Sequence, residues 1–178
     1  VLILGAGGGV GSFAVQLAKA FGADVTGVCS ATKVDLVESI GADRVFDYTR
    51  GDVADGTRHF DLILDTSGNR PLSHLRRALA PHGTLVIVGG EGGNRWSGGF
   101  GRQILRAPLL TLLVSQSLRP LNAKVRTADL DFLRGLIESG KVTPIIDRTY
   151  PLAQASDAIR YMHERHARGK VVVTVEEG

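Results

Sequence analysis

The sequence predicts an α/β fold, a doubly wound parallel sheet with helices on both faces, and three observations carry that expectation. Short apolar runs recur at Val1 to Leu4, Val25 to Cys29, Arg44 to Asp47, Leu62 to Asp65 and Leu85 to Val88. Helical periodicity or turn residues separate most of them, which is the β-α-β rhythm of a parallel sheet. The first run passes straight into Gly5-Ala6-Gly7-Gly8-Gly9-Val10-Gly11. A strand buried on both faces reads as such a continuous apolar run, and glycines after it let the backbone turn tightly and approach a ligand closely.

The elements follow in order. Val10, Phe13, Ala14, Leu17, Ala18 and Phe21 recur at helical spacing, so a helix over Gly9 to Phe21 follows the turn. Its N-terminal amides point at whatever anion the turn admits. Further helices are predicted at Lys33 to Ile40, Pro71 to Leu79, Thr127 to Ser139 and Ala153 to His166. Gly22, Gly41, Gly83, Gly140 and Gly169 stand close after their ends, as helix-stop glycines do. Gly89 to Gly101, with Arg95 and Trp96, reads as a flap or a plain surface loop. Pro108 to Ser117 reads as a strand, either at a sheet edge that pairs with a second subunit as a homodimer or in a core of its own. The runs at 145–150 and 170–175 look like strands made for a partner sheet.

Composition bounds the function. A chain of 178 residues, 43% hydrophobic and 6% aromatic, fits one globular domain. Its net charge of +3 is spread along the chain without aromatic-interleaved basic stripes, so nucleic acid is not expected as a partner. The single cysteine, Cys29, excludes a disulfide framework within one chain and favours a reducing, cytoplasmic setting. No apolar run approaches the roughly 20 residues of a membrane span, so no membrane association is expected.

Aligned on the G-x-G-x-x-G fingerprint, the turn reads Ala6-x-Gly8-x-x-Gly11. Strand, turn and helix in this order make a Rossmann-type dinucleotide unit. Right-handed crossovers bring the loops at Ala6 to Val10, Cys29 to Lys33, Thr66 to Asn69 and Val88 to Gly93 to one edge. Ala6, Gly7, Gly8, Gly9, Val10, Ser67, Asn69, Val88, Gly89 and Gly90 are therefore candidate cofactor contacts. The plain alternative for Asn69, and the one its place favours, is a turn and helix cap before Pro71. In NAD-specific domains an acid about twenty residues past the turn binds the ribose 2′-hydroxyl. Here that place holds Cys29 and Ser30; Ser30, Thr32 and Lys33 supply hydroxyls and a cation, and Tyr48 adds a phenol. The combination suits NADP(H). Lys33 read alone is a solvated helix-start lysine, and Tyr48 read alone a packing aromatic.

Beyond the turn, Gly41-Ala42-Asp43 leading to Asp47-Tyr48, Phe60-Asp61-Leu62-Ile63-Leu64-Asp65, Gly83-Thr84-Leu85-Val86 with Gly89-Gly90, and His166-Ala167-Arg168-Gly169-Lys170-Val171-Val172-Val173 complete a series. In order and spacing the series resembles the medium-chain dehydrogenase/reductase superfamily, in its zinc-independent quinone oxidoreductase branch, over essentially the whole chain. The resemblance implies NADPH as cofactor without zinc, with Lys33 and Tyr48 on the 2′-phosphate and Ser30 beside them. It implies hydride transfer to a small carbonyl or quinone substrate. Family members begin with a GroES-like β-barrel that forms the substrate pocket; this sequence starts on the first strand of the nucleotide domain. The last strands resemble those that pack on that barrel, so the chain is expected to hold cofactor without full catalysis.

No catalytic residue is assigned, because the nicotinamide carries the chemistry of hydride transfer and the protein supplies orientation. Of the five histidines only His163 and His166 stand at a ligand-like spacing, and Glu164 and Arg165 make that face read as solvated. Ser12 and Ser67 lack a His and Asp arrangement for a hydrolase. A methyltransferase-like fold shares the glycine turn but prefers an acid after the second strand. The competing reading from another class is a stand-alone dinucleotide-binding or sensing module that dimerises and reduces nothing.

Overall fold

The computed structural model describes residues 1–54, 57–68, 70–88, 115–121, 123–164 and 167–175. Its main sheet holds β1 (Leu2–Leu4), β2 (Thr26–Cys29), β3 (Arg44–Asp47), β4 (Phe60–Asp65), β5 (Leu79–Ile87) and β6 (Ser117–Pro120). All neighbours are parallel, in the order β3-β2-β1-β4-β5-β6. This is the doubly wound order, with the reversal between β1 and β4 that opens a crevice at the strands' carboxyl ends.

The apolar run of β1 explains its central place. Leu2 and Leu4 face a core shared with Ile63, Leu85 and Ile87. Ile3 points the other way, into a core with Val15, Val25 and Val37. Alternation across a strand requires both faces to be covered. On the Ile3 side lie α1 (Gly11–Ala20) and α2 (Val34–Ser39); on the other, α3 (Leu72–Arg77) adds Leu72 and Leu75. Asp43 of the Gly41-Ala42-Asp43 motif joins α1 to the bottom of the sheet. Its carboxylate accepts Lys19 Nζ at 2.8 Å on each oxygen and the Val25 N–H at 2.7 Å. The lysine first, then that N–H, hold its pKa below the usual carboxylate value.

Beyond the sheet come α4 (Thr127–Glu138), β7 (Ile146–Pro151), α5 (Ala155–His163) and β8 (Lys170–Thr174). β7 and β8 pair with each other as a parallel two-stranded sheet. Among the described residues no helix is long and apolar enough to cross a membrane.

Several boundaries differ from the sequence reading. α2 starts one residue later because Ala31–Lys33 forms a 3₁₀ turn first, and Leu152–Gln154 does the same before α5. β5 begins at Leu79, where a helix end was expected, and its pairing with β4 shifts register between Phe60 and Leu62. Gly83 accordingly sits inside β5, where a Cβ would lie 2.8 Å from the Phe60 carbonyl oxygen; it is no helix stop. Gly22, Gly41, Gly140 and Gly169 do carry positive φ, between 71° and 103°. Of the strand expected at 108–117, residues 108–114 lie outside the described residues, as does its dimer role. The described strand there is β6, which Ser-Leu-Arg-Pro did not announce.

Candidate functional site

At the carboxyl edge, between the ends of β1 to β4, lies a cleft of about 730 Å³. The glycine turn forms one wall and the chain at 167–171 crosses its rim. The turn is bare backbone by necessity. A Cβ on Gly11 would stand 2.1 Å from the Gly5 carbonyl oxygen and 2.7 Å from Ala6 Cα, so only glycine lets α1 rise this close to β1. Gly5 and Ala6 donate their N–H groups to the Val28 carbonyl at 3.0 Å, and Gly8 donates back to Gly5 at 3.1 Å. The turn is thereby fixed against β2, and the first amides of α1 follow it. A helix N-terminus of this kind favours an anion.

Two lysines flank the turn from distant parts of the chain. The stem of Lys33 passes over Gly7, where a Cβ would meet its Cδ at 2.8 Å, and Lys33 Nζ donates to the Ala167 carbonyl at 2.6 Å. Lys170 Nζ stands 3.2 Å from a Cβ on Gly9 and lies 5.8 Å from the centroid of the Phe13 ring. With Arg70, the described lining residues carry three cations and no carboxylate. Such a wall is complementary to phosphate groups.

The edge beyond β2 adds the polar groups. Ser30 Oγ and Thr32 Oγ1 lie 3.1 Å apart, and Tyr48, half exposed, is tied to Cys29 by its backbone N–H at 3.1 Å. The nearby acid, Asp47, turns to Thr49, accepting its N–H at 2.9 Å and its hydroxyl at 2.8 Å, which lower its pKa. Burial first, then the Asp47 charge, push the Cys29 thiol up to about 11. Cys29 is therefore a protonated wall residue and no nucleophile at neutral pH.

The structure brings Gly7, Gly8, Gly9, Val10, Ser30, Lys33, Tyr48 and Ser67 to this one cleft. Ala6 lies beneath it, fully buried, with its methyl in the core beside Ile3 and Val15. Ser67 reaches the wall while its hydroxyl donates to Asp65 at 3.0 Å. Val88 follows β5 with its N–H on the Asp65 carbonyl and is not among the lining residues. Asn69, Gly89 and Gly90 lie outside the described residues. Arg70, Lys170 and the Ala167 carbonyl were not among the cofactor contacts expected from sequence, although Ala167 and Lys170 belong to the last motif of the series, and tertiary folding brings them here. Among the described residues no three His, Cys, Asp or Glu side chains stand together as a metal ligand set.

A family profile described as zinc-binding dehydrogenase matches residues 40–173. The chain is 33% identical to the mitochondrial NAD(P)H oxidoreductase RTN4IP1 of Mus musculus, across 98% of this chain and 47% of that protein. It is also 33% identical to the chloroplastic NADPH-dependent alkenal/one oxidoreductase of Arabidopsis thaliana, across 97% of this chain and 40% of the relative. Among solved structures, the quinone oxidoreductase from Coxiella burnetii superposes with a TM-score of 0.81 at 25% identity, covering 98% of this chain and 52% of that one. The chain thus spans about half the length of these relatives. It belongs to the zinc-binding dehydrogenase family, among the medium-chain dehydrogenases and reductases, and corresponds to the C-terminal half of its relatives.

Proposed function

We propose that the cleft binds NADPH, and that the chain is the nucleotide-binding part of an oxidoreductase that moves hydride from NADPH to a quinone or enone-type carbonyl. The observation that carries this reading is a bare glycine turn flanked by Lys33 and Lys170, in a cleft that Arg70 also lines and that has no carboxylate among the described lining residues. The cradle fits a pyrophosphate because the positions a Cβ would fill are left open by glycine. Ser30, Lys33 and Tyr48 fit a 2′-phosphate, which an acid at the end of β2 would repel. When bound, the nicotinamide supplies the hydride. The chain's own residues hold and orient the dinucleotide: Lys170, over Gly9, serves the pyrophosphate, and the Lys33 ammonium serves the 2′-phosphate.

The substrate pocket belongs, in this reading, to residues outside this chain. Support comes from apolar side chains around β7, α5 and β8 that are left uncovered: Ile146, Leu152, Ile159 and Met162 are each 57–58% exposed. We assign that face to the other half of the enzyme. The test is acceptor-dependent NADPH oxidation, with quinones and enones as acceptors. Oxidation is expected from a protein that carries both halves, and cofactor binding alone from this chain. Absence of oxidation by the two-part protein would refute the reading.

A further inference from the structure

We propose that Asp147 is a positioning residue for cofactor specificity: through the peptide group between Ala167 and Arg168 it orients the Lys33 ammonium for the 2′-phosphate. The inference rests on the proposed NADPH reading and adds a residue to it. That peptide has a partner on each side. Its N–H, from Arg168, donates to Asp147 Oδ2 at 2.9 Å, and its carbonyl, from Ala167, accepts Lys33 Nζ at 2.6 Å. In a trans peptide the two groups point in opposite directions, so this one lies between a carboxylate and an ammonium with its dipole aligned to both.

The strand pairing explains why a carboxylate stands there. β7 and β8 match Ile146 with Lys170 and Arg148 with Val171, so Asp147 is the extra residue of a bulge in β7. A bulge re-aims a side chain out of the strand's alternation, and here that side chain meets the rim of the cleft. Tyr161 of α5 braces the same oxygen, donating its hydroxyl to Asp147 Oδ2 at 2.7 Å. That hydrogen bond first, then burial, raise the Tyr161 phenol above its ordinary value, so it remains a donor. The Arg148 guanidinium lies 4.3 Å from the centroid of the Tyr161 ring and covers one of its faces.

A lysine gains from such a hold. Its ammonium rides on a flexible four-carbon stem, and freedom given up before the cofactor arrives is not lost on binding. The bare Gly7 lets the Lys33 stem lie across the turn, and the Ala167 carbonyl takes its end. Lys170 is held by other means. Its backbone N–H donates to the Ile145 carbonyl at 2.7 Å, and Gly169, at φ 103°, packs so closely that a Cβ would stand 2.5 Å from that same oxygen. Removing the Asp147 carboxylate therefore loosens the Lys33 end of the rim and leaves the Lys170 end tied. The effect falls on the cofactor that carries the extra phosphate.

The experiment is equilibrium titration of the 178-residue chain with NADPH and NADH, for wild type, Asp147→Ala, Asp147→Asn, Tyr161→Phe, Lys33→Ala and the variant that combines Asp147→Ala with Lys33→Ala. Asp147→Ala should lower the preference for NADPH over NADH by roughly fivefold, with NADH affinity within about twofold of wild type. Asp147→Asn, whose amide oxygen can still accept the Arg168 N–H, should recover part of that preference, and Tyr161→Phe should lower it by a smaller factor. In the combined variant the preference should equal that of Lys33→Ala alone, because Asp147 acts through the lysine. Equal loss for both cofactors would make Asp147 a merely structural residue and overturn the proposal. A wild-type preference in Asp147→Ala would overturn it, as would a raised one, which would mean that the carbonyl holds Lys33 away from the phosphate. A further fall in the combined variant would do the same. If Asp147→Ala does not fold, Asp147→Asn and Tyr161→Phe carry the test, and a wild-type preference in both would overturn the proposal. A wild-type chain that binds neither cofactor, or both equally, would refute the NADPH reading itself.

Discussion

Gln16 reads both backbone groups of Thr143. Its Oε1 accepts the Thr143 N–H at 2.7 Å, and its Nε2 donates to the Thr143 carbonyl at 3.0 Å, across 127 residues of sequence. The side chain is buried on α1, one turn past Ser12, whose carbonyl it also engages at 3.0 Å. The helix that begins at the glycine turn is thereby locked to the segment that leads into β7. Gln16→Ala leaves two backbone groups unpaired, so we expect a loss of roughly 2 kcal/mol in folding stability. Urea unfolding checks it; an unchanged midpoint would show the clamp to be idle.

The glycine turn predicts a contrast between two alanine substitutions. Gly11→Ala would place a methyl against the Gly5 carbonyl, which is backbone and cannot swing aside. Cofactor binding should be abolished and the melting temperature lowered. Gly22→Ala meets nothing within 4 Å but carries φ +80, so it should cost only about 1 kcal/mol and leave binding intact. Parallel melting curves and NADPH titrations separate the two.

Cys29 predicts an alkylation profile. With the thiol near 11, iodoacetamide should react slowly at pH 8 and faster as pH climbs toward 11, and NADPH in the cleft should protect it. The same shift has a stability sign. A thiol held above its ordinary 9.0 favours the fold below pH 9, and that contribution is lost as pH rises to about 11. A reaction rate already at its plateau at pH 8 would contradict the assignment.

Lys170 should act on both cofactors alike. Standing over Gly9 and not at the end of β2, it faces the part of the dinucleotide that NADPH and NADH share. Lys170→Ala is expected to weaken each by roughly tenfold in equilibrium titration. A loss restricted to NADPH would move its role to the 2′-phosphate.

What the sequence made legible was local. β1, the glycine turn and α1 are consecutive, so periodicity and glycine spacing expose them together, and the absence of an acid at Cys29-Ser30 can be counted from the turn. Lys33 and Tyr48 are read the same way, each just past a strand. Arg70 and Lys170 carry no such local signature: one is held by a carboxylate 18 residues earlier, the other by a crossing from the far end of the chain. β6 escaped for a different reason. Ser-Leu-Arg-Pro at a sheet edge buries only Leu118 among its four side chains, so its apolar pattern is too thin to read.

The most direct measurement is the affinity of the chain for NADPH and NADH, before and after Lys33→Ala. The account predicts a wild-type preference for NADPH of about 1–3 kcal/mol, roughly 5- to 150-fold, largely lost in the variant while NADH binding changes little. Equal wild-type affinities, or a preference that survives Lys33→Ala, would contradict it.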